Sequence, residues 1–370
     1  MWPNDHTARP LDANRSLAEL VLVDVDRATS VTTSVLEGFG AGALAARRQA
    51  VHLVEGDLRG RPSHGLQRLP TLVSRIRNGV LIPDAEPVLH WTTPAALAVD
   101  GRAGFGPHVA YEALGELLAR SKSTGVAVAA IRSAGHLGML APYVEEAASD
   151  GALAIVLTTS EALVHPAGAA RAMVGTNPIA IGVPAQPHPF ILDMSTAAIS
   201  AGEVIAHEQR GLALPPGVAV DAEGRATTDA SLARAGAVSP FGGAKGFALG
   251  LGFELLVASL TGTALGTDVK GTLDVSEPVT KGDVVIVVRP DVFGAGGYEP
   301  LISDYLSALR DLPPAPESAG VLIPGDGARA RRERHLEGGV PLPAALWEQL
   351  SALADESASN ANSRHVGMNG

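Results

Sequence analysis

Apolar residues in the first quarter of the chain are spaced for helices. Over 36–58 they fall on one helical face, and a shorter amphipathic helix is predicted over 69–79. The stretch Gly-Arg-Pro-Ser-His-Gly at 60–65 is predicted to connect the two. Prolines break the pattern over 83–94, which marks a boundary before a short strand at 96–100.

The middle of the chain predicts a β-α-β unit. After a helix over 107–123, the apolar runs at 125–132 and 152–158 are each bounded by turn residues, as buried strands are. A helix over 142–149 lies between them, so the two strands are predicted to run parallel with a right-handed crossover. The loop at 133–138 then follows the carboxyl end of a strand, where ligands bind in open α/β sheets.

The remaining pattern supports the α/β class. Further strands are predicted at 179–183, 190–192 and 284–288, and a strongly apolar helix at 246–260. The stretch 208–240 is rich in Gly, Pro, Asp and Thr. A segment of that length and composition predicts a functional loop, a lid or an excursion from the main body.

Charge and composition exclude several classes of protein. The 370 residues carry 28 basic and 39 acidic side chains, a net charge of −11, so a general nucleic-acid binder is not expected. The chain has no cysteine, which rules out disulfides, thiolate nucleophiles and zinc ribbons and is consistent with the cytoplasm. Small metabolites are the expected partners.

Neither end of the chain predicts a packed or membrane-bound structure. Residues 1–16 are polar and contain proline, with no apolar stretch typical of an export signal, and are predicted to be disordered. The small, polar residues of 355–370 are predicted to be a disordered tail. The uncharged stretch 173–192 holds four prolines, which a spanning helix does not tolerate. A soluble, cytoplasmic protein without a membrane partner is expected.

Familiar catalytic and nucleotide-binding motifs are absent. No strict Gly-x-Gly-x-x-Gly occurs; the relaxed copy at 40–45 lacks an apolar strand before it, and the one at 325–330 lies too near the end to build a mononucleotide-binding half. A dinucleotide would therefore not be bound by a Rossmann fold. Gly-x-Ser-x-Gly, His-Glu-x-x-His and Cys-x-x-Cys are also missing, so a metal site would need scattered His and Asp residues.

A cluster of chemically useful side chains lies at 63–68. Ser63 could cap a helix, which would place His64 and Arg68 on one face at i and i+4. Histidine exchanges protons near neutral pH, and the arginine fork matches a carboxylate. The alternative is a capped helix start with an exposed histidine and arginine.

Three further residues stand at positions that favour function. His136 lies in the strand-end loop Ser-Ala-Gly-His-Leu-Gly, and Asp193 ends the apolar run Phe-Ile-Leu. Lys245 follows Gly242-Gly243 at a helix start, where backbone N–H groups, the helix dipole and an ammonium make an anion site. A loop histidine, a turn aspartate and a solvated lysine are the alternatives. The basic run 329–335 is predicted to be a solvated helix face.

Taken together, these segments resemble the malate/L-lactate dehydrogenase-like oxidoreductases. The resemblance spans about Leu36 to Glu348. It rests on LVEGDLRGRPSHGLQRLP, IRSAGHLGMLAPYVEEAASDG, VGTNPIAIGVP, FILDMST, LPPGVAVDAEGRATTD and PFGGAKGFALGLGFELL, in the family's order and spacing. Each motif is moderately specific, and the ordered set is strongly so.

The resemblance implies a fold and an assembly. It implies an α/β, non-Rossmann NAD(P)-binding fold with a mixed sheet core, and a helical domain formed by the N- and C-terminal segments. We expect a helical segment at 17–85 carrying the Ser-His motif, an α/β cofactor- and substrate-binding domain at 86–300, and a C-terminal helical segment at 301–354 that packs on 17–85. A homodimer with the active site near the subunit interface is implied.

The resemblance also assigns site residues. His64 matches the family's acid/base histidine, with Ser63 beside it and Asp193 as a supporting carboxylate. His136 matches a loop histidine that serves as proton acceptor in some members, so either histidine could donate the proton. Arg68 matches a contact to the substrate carboxylate. Cofactor-contacting segments correspond to Asp193, Met194, Ser195, Lys245, Gly246, Pro324 and Gly325, and no metal is implied.

The implied reaction interconverts a small 2-oxo and 2-hydroxy carboxylic acid with NAD or NADP, hydride passing between nicotinamide and C2. A cyclic imine-2-carboxylate is the alternative substrate within the family. Gly135 stands where many members have asparagine, and Thr158-Thr159-Ser160-Glu161 replaces a more usual Thr-Asn-Ser, which leaves substrate and cofactor preference open. Outside the family, two readings remain: a metal-dependent hydrolase or lyase using His64, His136 and Asp193, and a metabolite-binding or assembly protein without activity.

Overall fold

The computed structural model describes residues 20–294 and 297–367. The strands are β1 (Leu20–Val23), β2 (Val88–Thr93), β3 (Ala96–Gly104), β4 (Val126–Ala134), β5 (Leu153–Thr158), β6 (Ala162–Val164), β7 (Val174–Gly175), β8 (Ile179–Val183), β9 (Phe190–Met194), β10 (Ala219–Val220), β11 (Ala237–Val238), β12 (Gly282–Val288) and β13 (Val340–Pro343). The helices are α1 (Val25–Gly38), α2 (Ala43–Leu58), α3 (Leu69–Arg77), α4 (Gly106–Thr124), α5 (Ala141–Ser149), α6 (Ala201–Arg210), α7 (Ala230–Ala235), α8 (Ala244–Thr261), α9 (Glu299–Arg310), α10 (Asp326–Gly338) and α11 (Ala344–Gly367). The predicted α/β class is confirmed.

A seven-stranded mixed sheet forms the centre, in the order β2-β3-β4-β12-β5-β8-β9. Only the β3–β4 pair is parallel among its neighbours. The predicted β-α-β unit is present as β4, α5 and β5, but β12 lies between its strands and runs antiparallel to both. The two strands therefore share a direction, as predicted, without pairing with each other.

The pattern of apolar residues in the central strands shows which of their faces are covered. In β4, Ala127, Ala129 and Ile131 are fully buried in the core that α4 and α5 cover. The inserted strand β12 is apolar on both faces, with Val284 facing α8 and Val285 in the main core. A strand covered on both faces reads as a continuous apolar run, which is the pattern of 284–288.

The helical layer combines both ends of the described chain. Strand β1 pairs antiparallel with β13, and α1 packs on α11 around Leu36, Leu342 and Leu350. The single helix predicted over 36–58 is wrong. The chain turns at Gly40, whose φ of 100° an L-residue rarely adopts, so α1 ends and α2 begins within that range.

The C-terminal segment divides between two surfaces. Residues from β13 onward pack on the N-terminal helices, whereas α9 packs beside β9, with Leu306 against Ala185 and Phe190. The tail also differs from the prediction of disorder, because α11 continues to Gly367. Its small residues permit this: a Cβ on Gly38 would lie 2.4 Å from the Cβ of Ser357, so the two helices approach closely there. Residues 1–16 lie outside the described residues.

One face of α10 is packed, which corrects the prediction of a solvated helix. Arg332 makes three hydrogen bonds of 2.7–2.9 Å to Glu55 on α2, and His335 Nδ1 lies 2.9 Å from the carbonyl of Leu58. Arg332 therefore pairs with a partly buried carboxylate. The charge of the basic run 329–335 does not indicate which of its arginines form ion pairs with acidic side chains elsewhere in the fold.

The excursion predicted within 208–240 is a small unit with its own core. Strands β10, β11, β6 and β7 form a second sheet, and α6 and α7 pack on it around Val164, Val204, Ala233 and Val238. The boundary predicted over 83–94 contains β2, an edge strand flanked by Pro87 and Pro94. Proline is tolerated beside an edge strand because its missing N–H faces no neighbour.

Candidate active site

Two histidines meet where the helical layer faces the carboxyl end of β4. The rings of His64 and His136 are stacked, with centroids 5.5 Å apart and planes inclined by 27°. They come from distant parts of the chain: His64 lies between α2 and α3, and His136 lies in the loop after β4. Two residues that the sequence analysis selected separately thus form one site.

The backbone around His64 differs from the predicted capped helix. Two short 3-10 turns, Pro62–His64 and Leu66–Arg68, are separated by Gly65, and Ser63 caps no helix. Instead the Ser63 hydroxyl lies 3.1 Å from His64 Nδ1. Ser63 therefore orients the ring of its neighbour.

Helix α2 fixes this turn through a buried carboxyl group. Asp57 Oδ2 accepts a 2.7 Å hydrogen bond from the backbone N–H of Leu66, and a Cβ on Gly65 would lie 2.3 Å from Asp57 Oδ1. Gly56 is equally tight against the carbonyl of His64. Burial raises the pKa of Asp57 to about 7, against a lowering effect of the Leu66 hydrogen bond.

The His136 loop is held from behind by a buried aromatic layer. His52 donates from Nε2 to the carbonyl of Met139 at 2.9 Å, and the Tyr143 hydroxyl donates to the carbonyl of Leu137 at 2.6 Å. The His52 and Tyr143 rings stack at 4.9 Å. Within the loop, His136 Nδ1 accepts from the Gly138 N–H at 3.2 Å, so the proton of a neutral His136 sits on Nε2.

Both site histidines are neutral at pH 7. Burial, followed by the nearby positive charge of Arg68, lowers the pKa of His64 to about 3. The same two causes hold the pKa of His136 well below its ordinary value, with smaller effects from His64 and Lys281. The expectation from sequence that a histidine exchanges protons near neutral pH rests on the ordinary pKa near 6.5, which does not apply in this desolvated site.

Arg68 stands beside the pair and is only partly committed. Its Nε donates to the carbonyl of Ser63 at 2.9 Å, and its Nη1 donates to the carbonyl of Thr272 at 2.8 Å. A guanidinium has five N–H donors, so three remain for a substrate carboxylate. A small cavity of about 20 Å³ adjoins it, with Arg68, His136, Gly138 and Thr272 in its wall.

Asp193 lies at the end of β9 but contacts neither site histidine by a described hydrogen bond. Its Oδ2 accepts from the N–H groups of Leu140 and Ala141, at 2.9 and 2.8 Å, and so caps the start of α5. Burial raises its pKa, while these two hydrogen bonds act in the opposite direction. Through these two hydrogen bonds, Asp193 holds the chain just beyond the His136 loop.

The residues matched to cofactor contacts fall into one neighbourhood around β9. Met194 and Ser195 follow Asp193 in the chain, and Thr196 comes next. Helix α8 packs against Thr196, because a Cβ on Gly250 would lie 2.6 Å from the Thr196 hydroxyl. The exposed Lys245 and the buried Gly246 lie in the first turn of this helix. Gly325, after Pro324, has φ 95° and lies over the carbonyl of Ile191.

Three cations near the site escaped the sequence analysis. Lys281 is buried and paired with Asp283 at 2.5 Å, close enough to His136 to lower its pKa. Arg61 lowers the pKa of His64, Arg331 and Asp193, so it adjoins a like charge as well as a buried carboxyl group. Within the described residues, no ion pair is recorded for Arg61 or Arg331. Spacing along the chain gives no signal for such a pair, because 270 residues separate them.

The metal-site alternative finds no support. Within the described part of the chain, no three His, Cys, Asp or Glu side chains come together as a metal-binding group. His64 and His136 are stacked rather than converging on a point, and Asp193 is engaged by backbone donors.

Comparison with known proteins gives a consistent result. The family model described as malate/L-lactate dehydrogenase matches residues 23–351. The chain is 34% identical to L-sulfolactate dehydrogenase of Methanocaldococcus jannaschii over 88% of this chain and 94% of that protein. It is 37% identical to a Delta(1)-pyrroline-2-carboxylate reductase of Ancylobacter novellus, over 79% and 85% of the two chains. A dehydrogenase structure from Sinorhizobium meliloti superposes with a TM-score of 0.87 and 48% identity, covering 91% of this chain and 99% of the other.

Proposed function

Because the chain belongs to the malate/L-lactate dehydrogenase family, we propose that it interconverts a small 2-oxo acid and the corresponding 2-hydroxy acid. It is an NAD(P)-dependent oxidoreductase, as the dehydrogenases and reductases among its relatives indicate. The observation that carries the proposed substrate class is the stacked, neutral pair His64–His136 beside the partly free guanidinium of Arg68. That arrangement combines proton exchange with recognition of a carboxylate.

A cyclic imine-2-carboxylate is the second candidate substrate. The relative named Delta(1)-pyrroline-2-carboxylate reductase is more identical to this chain than the sulfolactate dehydrogenase, although over less of its length. Both substrate types place a carboxylate next to a carbon that accepts hydride. Arg68 would serve both in the same way.

The residues near β9 fit an anionic dinucleotide. Arg61 and Arg331 adjoin each other, and the structure records an ion pair for neither among the described residues. Gly325, with φ 95°, precedes the start of α10. Lys245 adds an exposed ammonium at the start of α8. These groups would hold the phosphates of NAD or NADP, which when bound supplies or accepts the hydride. The largely antiparallel sheet supports the non-Rossmann part of the proposal.

Residues of the chain itself would then donate and accept the proton of the reaction. His64 gives it to the incipient alkoxide in reduction and takes it in oxidation, with Ser63 at 3.1 Å orienting the ring. His136, whose Nε2 carries the proton when neutral, is the alternative donor. Arg68 orients the carboxylate, and Asp193 supports the site by capping α5.

We further propose that the protein is a soluble, cytoplasmic homodimer. Helix α8 is long and apolar enough to cross a membrane by length and composition, but its buried face packs on β12 through Val257. Its other face exposes Leu249, Leu256 and Leu260. A second copy covering that face would remove this apolar surface from water.

The test is an absorbance assay at the reduced-nicotinamide band. Purified protein is supplied with NADH or NADPH and a panel of 2-oxo acids and cyclic imine acids, and with the oxidised cofactors and 2-hydroxy acids. Turnover of one acid class in preference to the other identifies the substrate. Absence of turnover with every acid and both cofactors would refute the proposed function.

A further inference from the structure

A short segment of chain lies across the cavity next to Arg68 and His136. Residues Gly271–Glu277, here called the strap, belong to the connection between α8 and β12. Gly271 and Thr272 contribute to the cavity wall opposite Leu72 and Arg75 of α3. The cavity, about 20 Å³, has room for about one water molecule, which is less than any 2-oxo acid needs.

One end of the strap is fastened by Glu161. The carboxylate accepts hydrogen bonds from the backbone N–H of Thr272 at 2.6 Å and of Leu273 at 2.8 Å, and from the Thr272 hydroxyl. Glu161 is half-buried and lies between β5 and β6, at the edge of the site. A single side chain therefore satisfies three donors of the strap.

The other end of the strap is fastened by α3. Arg75 donates to the carbonyls of Asp274 at 2.6 Å and Glu277 at 3.2 Å. Asn78 donates to the carbonyl of Val275 at 2.8 Å. The hydrogen bonds at this end do not involve Glu161, so loss of the Glu161 contacts would loosen Thr272 and Leu273 without releasing the whole segment.

Thr272 connects the strap to the substrate-binding arginine. Its N–H and hydroxyl are held by Glu161, while its carbonyl accepts the 2.8 Å hydrogen bond from Arg68 Nη1. Thr272 itself is 5% exposed. The position of the Arg68 guanidinium thus depends on a residue that Glu161 orients.

We propose that Glu161 is a positioning residue for acid binding: by holding Thr272 it fixes the strap and, through the Thr272 carbonyl, the guanidinium of Arg68. The carboxylate of the acid takes the donors of Arg68 that the carbonyls of Ser63 and Thr272 leave free. This inference rests on the proposed function, because it assumes that Arg68 receives the carboxylate.

The experiment compares Glu161→Ala and Glu161→Gln with the parent and with a matched control. Glu277→Gln also removes one carboxylate charge, here from the strap itself, but the described hydrogen bonds of Glu277 run through its backbone. For each protein we would measure KM for the acid, KM for the cofactor and kcat. Amide hydrogen exchange of the peptide spanning 271–277 reports on the strap, and calorimetry with oxamate, an unreactive 2-oxo acid analogue, reports on acid binding.

Glu161→Ala is expected to speed exchange at Thr272 and Leu273, and to raise KM for the acid and the oxamate Kd about tenfold. Cofactor KM should stay within about twofold, because the described side-chain hydrogen bonds of Glu161 all go to the strap. Glu161→Gln keeps an amide oxygen for the N–H donors and an NH₂ for the Thr272 hydroxyl, so it should restore most of both properties. Glu277→Gln should match the parent.

Three outcomes would overturn the proposal. Unchanged exchange in Glu161→Ala would show that Glu161 does not hold the strap, and faster exchange with unchanged acid KM and oxamate Kd would show that the strap does not set acid binding. Glu161→Gln as impaired as Glu161→Ala would show that charge, and not hydrogen bonding, is what matters. If the parent turns over no acid, the proposed function fails, while exchange and oxamate binding still decide the role of Glu161.

Discussion

The low pKa of His64 predicts an unusual pH profile for the proposed reaction. In oxidation, the histidine that accepts the proton must begin neutral, and kcat/KM reports the ionisation of the free enzyme. Burial and Arg68 lower the pKa of His64 to about 3. We therefore expect kcat/KM for oxidation of the 2-hydroxy acid to stay nearly constant from pH 8 down to pH 5.

The size of the effect follows from the two pKa values. A histidine with the ordinary pKa near 6.5 is only about 3% neutral at pH 5, so kcat/KM would fall about 30-fold. With a pKa of about 3, His64 remains about 99% neutral there. In reduction the sign is reversed: the donor must be protonated, so kcat/KM should fall steadily as pH rises across the same range.

Initial rates of nicotinamide reduction and oxidation at five or more pH values test this, with His64→Gln and His136→Gln as companions. His64→Gln should lower turnover about 10²–10⁴-fold, the usual contribution of a positioned acid/base, while still binding the reduced cofactor. Asp57→Asn serves as the control, because the pKa of Asp57 is raised to about 7 and could add an inflection of its own. An inflection near pH 6.5 for oxidation that persists in Asp57→Asn would refute the reasoning. If His136→Gln is the impaired variant and His64→Gln is not, the proton role belongs to His136.

Three other substitutions give distinct expected results. Arg68→Lys should raise KM for the acid without a comparable change in cofactor KM, because an ammonium cannot reproduce a planar two-point grip; equal KM values in mutant and parent would remove Arg68 from the site. Lys245→Ala should weaken cofactor binding, by about 1.5–3 kcal/mol for one charge-assisted hydrogen bond, and a fluorescence titration showing unchanged affinity would contradict the anion site. Asp57→Asn should raise the free energy of unfolding by about 2–4 kcal/mol at pH 8 and little at pH 4. The raised pKa of Asp57 means that its stabilising contribution is present at low pH and lost as pH rises from 3.8 to about 7, and equal denaturation midpoints at pH 8 would contradict this.

Local patterns predicted the elements of the central sheet but not its order. The runs at 152–158, 179–183 and 284–288 were each identified as strands, and all three are strands. The position of β12 between β4 and β5 was missed, since a strand whose partners lie 125 to 162 residues away leaves no local signal. The continuous apolar run of β12 indicated only that both faces of this strand are covered, not which strands it pairs with.

Helix boundaries failed where packing overrides composition. The small polar residues near Ser357 suggested disorder, yet they are what allows α11 to approach α1 at Gly38. Likewise the arginines of α10 suggested a solvated surface, whereas Arg332 is held by Glu55 of α2. In both cases the deciding partner is about 280 to 320 residues away in the chain.

The site residues were selected from the sequence one by one, and their relations came from the fold. His64, His136 and Arg68 were each proposed, but nothing in their spacing indicates that two imidazole rings stack or that Thr272 holds the guanidinium. The supporting residues His52, Asp57 and Lys281 were not proposed at all. All three are buried, and the residues next to them in the sequence do not indicate that they support the site.

The packing that joins the two histidines also decides when they can act. Desolvation and Arg68 together keep both imidazoles neutral in the free protein, so neither is a ready proton donor at pH 7. After burial, Arg68 is the largest cause of the lowered pKa in each case. A carboxylate bound to Arg68 would neutralise that charge, and the pKa of both histidines must then rise toward the ordinary value. In this site the anionic substrate itself would therefore prepare the acid that reduces it, and an uncharged ketone would not.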